Sequence, residues 1–195
     1  IDQSSFNIST KSLEEKLIKA KVSGCLPKVV IPVHMAGQSC NMKRIFELSK
    51  EYGFKIIEDA SHALGAEYCD KKVGSCEYSH IAVFSFHPVK MITSGEGGAA
   101  VTNNADINKK LKQFRSHGIT SDKKDFEGIP SNELWNYQQL NLGLNYRMTD
   151  IHAALGLNQL KRIDEFVEKR RNIALFYDST FKNSKMKIPH RANYA

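Results

Sequence analysis

The chain has 195 residues, 41% of them hydrophobic and 25% charged, with a formal net charge of +7, so it is long and apolar enough to bury one core and is expected to form a single globular unit. With no run of 18 or more apolar residues and no basic-then-apolar start, it reads as neither membrane-spanning nor secreted, and a soluble cytoplasmic protein is expected. Lys and Arg are spread along the chain, clustering only at Lys109-Lys110-Lys112 and Lys169-Arg170-Arg171 without interleaved aromatics, which favours anionic, including phosphorylated, small ligands over nucleic acid.

Ser12-Leu13-Glu14-Glu15 fits a capping box, and Leu13, Leu17 and Ala20 recur at helical spacing before Gly24 and Pro27 end the pattern. Val29 to Val33 is a β-branched run. A loop through Gly37 follows, then a helix with Met42, Ile45, Phe46 and Leu48 on one face, ending at Gly53. Phe54 to Ile57 completes a strand, helix, strand unit, whose crossover implies parallel strands. Ile81 to Phe86 and Gly98 to Thr102 read as further strands joined by a loop, and a helix follows from about Asp106 to Ser116. After a polar, insertion-like stretch from Thr120 to Asn132, one long amphipathic pattern carries Ala153, Leu157, Leu160, Ile163 and Val167. The fold class is α/β, a mostly parallel sheet with flanking helices. Cys25, Cys40, Cys69 and Cys76 have neither CxxC spacing nor a nearby His pair, so reduced thiols are expected and no metal site is read.

In parallel α/β sheets ligands sit beyond the carboxyl ends of the strands, where Asp59 and Ser85 both fall. Lys90 follows on the loop after Phe84-Ser85-Phe86-His87-Pro88-Val89. An acid, a hydroxyl and a lysine in this arrangement are what pyridoxal phosphate requires: an amine for its aldehyde, a carboxylate that keeps the pyridine nitrogen protonated, and a donor to its phosphate. Each residue also has an ordinary reading. A loop lysine is usually a solvated charge, Asp59 suits a helix N-cap, Ser85 an ST-turn, and His62 a structural histidine. Ser94-Gly95-Glu96-Gly97-Gly98 allows positive φ and close approach to a ligand, yet it is not a Walker loop, and no G-x-G-x-x-G string supports a nucleotide-binding module.

Taken together, Glu58-Asp59-Ala60-Ser61-His62-Ala63-Leu64-Gly65, Phe84-Ser85-Phe86 with Lys90 beyond, Gly95-Glu96-Gly97-Gly98, Arg115-Ser116-His117-Gly118 and Gly143-Leu144-Asn145-Tyr146-Arg147-Met148-Thr149-Asp150 resemble, in order, the DegT/DnrJ/EryC/StrS sugar aminotransferases of fold type I. The resemblance implies pyridoxal 5'-phosphate as cofactor, with Lys90 as its covalent and catalytic lysine, Asp59 on the pyridine nitrogen, Ser85 on the phosphate and His62 near the ring oxygen. It also implies Asn145 on the phosphate of a neighbouring subunit's cofactor, and hence a homodimer. Lys90, where some relatives carry His and dehydrate the sugar, favours transamination.

Leu26-Pro27-Lys28-Val29-Val30-Ile31-Pro32-Val33-His34 and Arg115-Ser116-His117-Gly118-Ile119-Thr120 are similar to the branch of the family that acts in pseudaminic acid biosynthesis. That branch aminates a UDP-linked 4-keto-6-deoxy-N-acetylhexosamine with L-glutamate. Another nucleotide-sugar aminotransferase and a non-catalytic remnant are the competing readings. Against the family pattern, residues 1–180 correspond to part of the cofactor-binding large domain, lacking its N-terminal region, and 181–195 to the start of a small C-terminal domain. The chain is therefore expected to be a fragment of a complete enzyme.

Overall fold

The computed structural model describes residues 1–128, 133 and 135–194. The end of the insertion-like stretch, residues 129–132, lies outside them. Where chain length suggests one unit, the fold has two compact ones, Ile1–Asn103 together with the chain from Asp150 onward, and Asn104–Thr149.

In the first unit, helix α1 (Thr10–Val22) is capped by Ser9, whose side chain accepts from the Ser12 N–H. The capping residue is thus one turn earlier than the Ser12 box expected, because both serines precede the same apolar pattern and only Ser9 has the extended backbone a cap needs. After strand β1 (Val29–Val30), helix α2 (Met42–Tyr52) starts at Asn41, which accepts from Arg44 N, and stops at Gly53 in the left-handed region with its N–H on Ser49 O. One face of α2, Met42, Ile45, Leu48, Ser49 and Tyr52, is buried, and with Leu17, Val30, Phe54 and Ile56 it forms the main core. Each such aliphatic or aromatic side chain contributes roughly 1.5–3 kcal/mol relative to exposure.

Strand β2 (Lys55–Asp59) lies parallel to β1, a second strand pair forms a short hairpin, β3 (Glu67–Tyr68) with β4 (Lys71–Lys72), and β5 (Ile81–Ser85) lies parallel to β2. Strand β6 (Gly98–Val101) closes the order β1-β2-β5-β6 by pairing antiparallel with β5, so the sheet is mixed and mostly parallel. Alternation along the strands sends Val30, Ile56, Ala82 and Phe84 inward and leaves Val29, Ile31, Val33 and Val83 exposed on the other face.

The long amphipathic pattern at the end of the chain resolves into two helices, α4 (Asp150–Leu160) and α5 (Ile163–Phe181). The Arg162 N–H turns back to Gln159 O and ends α4. Of α4, only Gly156 is buried, and Leu157 is 62% exposed, so the apolar stripe is not the packing face. The contact is made by small groups instead, Gly156 lying against Ser94.

The second unit holds α3 (Ala105–Arg115), capped by Asn104, and a strand pair, β7 (Ile119–Thr120) with β8 (Gln138–Gln139). Gly118 and Gly143 meet backbone to backbone: a Cβ on Gly143 would fall 2.0 Å from Gly118 N, and one on Gly118 1.8 Å from Asn141 O.

Among the described residues all four cysteines are free, Cys25 and Cys69 exposed, Cys40 and Cys76 buried. Burial pushes the Cys40 thiol up to about 12, and its S–H points at Val33 O. A disulfide-exchange reagent at pH 8 is therefore expected to titrate Cys25 and Cys69 in the native protein and to reach Cys40 and Cys76 only after denaturation. Rapid native labelling of Cys40 would contradict this packing.

Candidate active site

Strand β2 ends on two adjacent carboxylates that alternation sends to opposite faces. Glu58 goes inward and is 5% exposed, whereas Asp59 lies half-buried on the open face of the sheet. Asp59 is in parallel register with Val83, and Ser85 lies two residues further along β5, so Asp59 and Ser85 share that face, offset by roughly 7 Å along the strand direction. The carboxyl edge of the sheet thus presents an acid and a hydroxyl side by side.

Asp59 does not cap a helix. Residues 60–65 form turns, and the Asp59 carboxylate accepts the Ser61 N–H at 3.1 Å. Partial burial pushes the Asp59 carboxyl up, but hydrogen bonds from the Ser61 side chain and backbone outweigh it and hold the group below its ordinary value of 3.8. Above that range it is an anion. His62, on the same turn, is exposed and lines a cavity of about 510 Å³ together with Met35, Leu64, Met91, Val167 and Arg170.

Beyond Ser85 the chain forms a tightly bonded loop. Ser85 Oγ accepts weakly from the His87 N–H at 3.4 Å, Lys90 N–H reaches His87 O at 2.9 Å, and Phe86 O receives both Ser94 N–H and the Thr93 hydroxyl. Lys90 is half-buried, and its ammonium makes no hydrogen bond or ion pair among the described residues. The loop is pinned from α4, where Gln159 Oε1 accepts the Thr93 N–H at 2.8 Å, a Cβ on Gly156 would lie 3.5 Å from the Ser94 side chain, and one on Gly95 would lie 3.6 Å from the His152 ring. The glycine-rich segment therefore serves the packing of the loop as well as its turns: Gly95 has φ 84°, and a Cβ on Gly98 would fall 2.5 Å from Phe84 O.

Asn145 belongs to the second unit. It is exposed and bridges antiparallel to Ser116, while Leu144 and Tyr146 donate to Phe114 O and Arg115 O. The strings Arg115–Gly118 and Gly143–Arg147, separate in sequence, are partners in one local structure.

Sequence spacing missed a buried network behind Asp59. His34 is fully buried, and its Nε2 donates to Glu58 Oε2 at 2.8 Å, while its Nδ1 accepts the Cys40 N–H at 3.1 Å. The Ser79 hydroxyl donates to the other Glu58 oxygen. The available signal was polarity at inward-facing strand positions: Val30, Pro32 and His34 continue one buried alternation, as do Ile56 and Glu58.

Residues 1–194 match the model of the DegT/DnrJ/EryC1/StrS aminotransferase family. The chain is 43% identical over 178 residues to the UDP-4-amino-4,6-dideoxy-N-acetyl-beta-L-altrosamine transaminase of Campylobacter jejuni, covering 91% of this chain and 43% of that protein. Among solved structures, Helicobacter pylori PseC, an aminotransferase involved in the biosynthesis of pseudoaminic acid, superposes with a TM-score of 0.79 at 36% identity, covering 92% of this chain and 43% of PseC. The PLP-form of the putative sugar aminotransferase Spr1654 from Streptococcus pneumoniae gives a TM-score of 0.74 at 29% identity, covering 95% and 47% of the two chains. The chain thus spans less than half the length of each of these three relatives.

The close approach at Gly98 carries an expected outcome. Gly98→Val forces β6 away from Ser85 and is expected to cost about 1–3 kcal/mol, the usual range for overpacking, in urea denaturation. Wild-type stability would contradict the close β5–β6 approach.

Proposed function

The chain belongs to the DegT/DnrJ/EryC1/StrS aminotransferase family, and on that premise we propose that the protein transfers an amino group from L-glutamate to a UDP-linked 4-keto-6-deoxy-N-acetylhexosamine, using pyridoxal 5'-phosphate, as a step of pseudaminic acid biosynthesis in the cytoplasm. The observation that carries the reading is the placement of Asp59 and Ser85 at the carboxyl ends of two adjacent parallel strands, with Lys90 on the loop that follows the second and without an ion pair among the described residues. Identity of 41–43% to transaminases named for the altrosamine sugar supports the substrate class.

The donor set fits the cofactor. An ionised carboxylate, a hydroxyl and an amine without an ion pair among the described residues suit, in turn, a pyridinium nitrogen, a phosphate and an aldehyde. When bound, pyridoxal phosphate supplies a carbonyl that takes up amines and a ring that accepts electrons from the carbon being deprotonated. Asp59, kept anionic by Ser61, would hold the proton on the ring nitrogen. Ser85 Oγ would hold a phosphate oxygen, and His62 would serve near the ring oxygen. Lys90 Nζ would be the covalent anchor between turnovers. Freed for the reaction, its amine would move the glutamate α-proton to the cofactor in the first half-reaction and, in the second, a proton from the cofactor to C4 of the sugar, ending each half in the protonation state in which it began. Asn145 contributes to the phosphate site of a second copy, which makes the working species a homodimer. Residues 1–180 are then part of the cofactor-binding large domain, and 181–195 open a smaller C-terminal one.

In the full-length protein, Lys90→Ala is expected to lower turnover of the UDP-linked keto sugar with glutamate by at least about 10²–10⁴-fold, the scale of a lost general acid/base. Retained turnover would remove Lys90 from the mechanism. The wild-type protein is expected to favour the UDP-linked over a GDP-linked 4-keto sugar in kcat/KM, and the reverse preference would overturn the substrate assignment.

A further inference from the structure

We propose that the buried His34–Glu58 pair is a positioning device for Asp59 and His62, a role that rests on the assignment of Asp59 to the cofactor's ring nitrogen. The geometry ties these residues together through one side chain. The His34 ring is held on both nitrogens, Nε2–H donating to Glu58 at 2.8 Å and Nδ1 accepting from Cys40 N–H at 3.1 Å. Because a backbone N–H points at Nδ1, the ring proton belongs on Nε2, an assignment made from the network.

The same residue clamps the neighbour of Glu58 through its main chain. His34 N–H donates to Asp59 O at 3.1 Å, and Asp59 N–H donates to Pro32 O at 2.9 Å. Both polar groups of the Asp59 backbone are therefore fixed to the segment Pro32–His34, and that segment is fixed to β2 through Glu58. Ser79, just before β5, anchors the second Glu58 oxygen, so the carboxylate links the β1 exit, the β2 end and the entrance to β5.

The clamp extends to His62. The loop after His34 is held by Asn7, which accepts from Met35 N–H and donates to Gln38 O and Ser39 O. Within that loop Gly37 lies so close to the His62 carbonyl that a Cβ would meet it at 3.0 Å. One loop thus bears on the backbone of both residues.

Energetics make a filler role the weaker account. A buried, fully hydrogen-bonded ionic group adds little stability over apolar packing of the same volume, whereas removing one partner is costly. Ile45, Leu48 and Ile56, all fully buried in the main core, already attach β2 to α2. What the polar pair adds is a direction-dependent link, and it is made next to Asp59.

The test uses the full-length protein and compares Glu58→Leu, Glu58→Gln and Asp59→Asn. The Gln amide can still accept from His34 and donate to Ser79, so it keeps both links without the charge. Glu58→Leu is expected to move the ¹⁵N signal of ring-labelled pyridoxal phosphate toward the unprotonated position and to lower kcat by about 10²-fold, the scale of a ~1 Å misplacement. Without cofactor, its Asp59 and His34 amides should exchange with deuterium at least about tenfold faster, as local opening predicts. Glu58→Gln should restore both readouts. A folded Glu58→Leu protein with wild-type ¹⁵N signal and exchange overturns the proposal. So does a Ser79→Ala protein unchanged in both, the variant to use if Glu58→Leu does not fold. If Asp59→Asn itself leaves the ¹⁵N signal unmoved, the assignment of Asp59 fails instead.

Discussion

The strict two-residue alternation at the end of β2 is the constraint from which the rest follows. It forces Glu58 and Asp59, adjacent in the chain, onto opposite faces of the sheet. The inward carboxylate must be satisfied, and His34 and Ser79 satisfy it. The outward one is left at the carboxyl edge, beside the strand that delivers Ser85. A slip of one residue in the β1–β2–β5 register would exchange the two carboxylates, burying Asp59 without partners and exposing Glu58.

The lysine loop obeys a second, more local constraint. The connection from β5 to β6 must turn back through 180° to pair antiparallel, and it does so with Phe86 O receiving two donors and Gly98 abutting Phe84. Helix α4 then holds the loop from outside with a glycine and a glutamine side chain. Lys90 is carried on this braced segment without a partner for its ammonium among the described residues.

Much of this was legible in the sequence because it is written locally. The Met42, Ile45, Phe46 and Leu48 periodicity and Gly53 carry the face and end of α2, and the apolar runs ending at Asp59 and Ser85 carry the strands. The helix pattern after Thr149 was legible as helix but not as two helices, since the break at Lys161-Arg162 has no glycine or proline. The β3–β4 hairpin was hidden for a similar reason: its turn places Cys69 and Asp70 at positive φ, where Asn-Gly is the usual signal. The His34–Glu58 pair joins residues 24 apart, and the Gly118–Gly143 approach joins residues further apart still, so neither has a local signature. The roles proposed for Asp59, His62, Ser85, Lys90 and Asn145 toward a cofactor rest on resemblance and chemistry, and nothing in periodicity could have supplied them.

The most direct measurement of the central claim is to incubate the full-length protein with pyridoxal phosphate, reduce with borohydride and map the modified peptide by mass spectrometry. Modification confined to the peptide carrying Lys90, and lost in Lys90→Ala, is the predicted result. Modification scattered over exposed lysines, or none at all, would contradict the assignment of this loop as the cofactor's anchor.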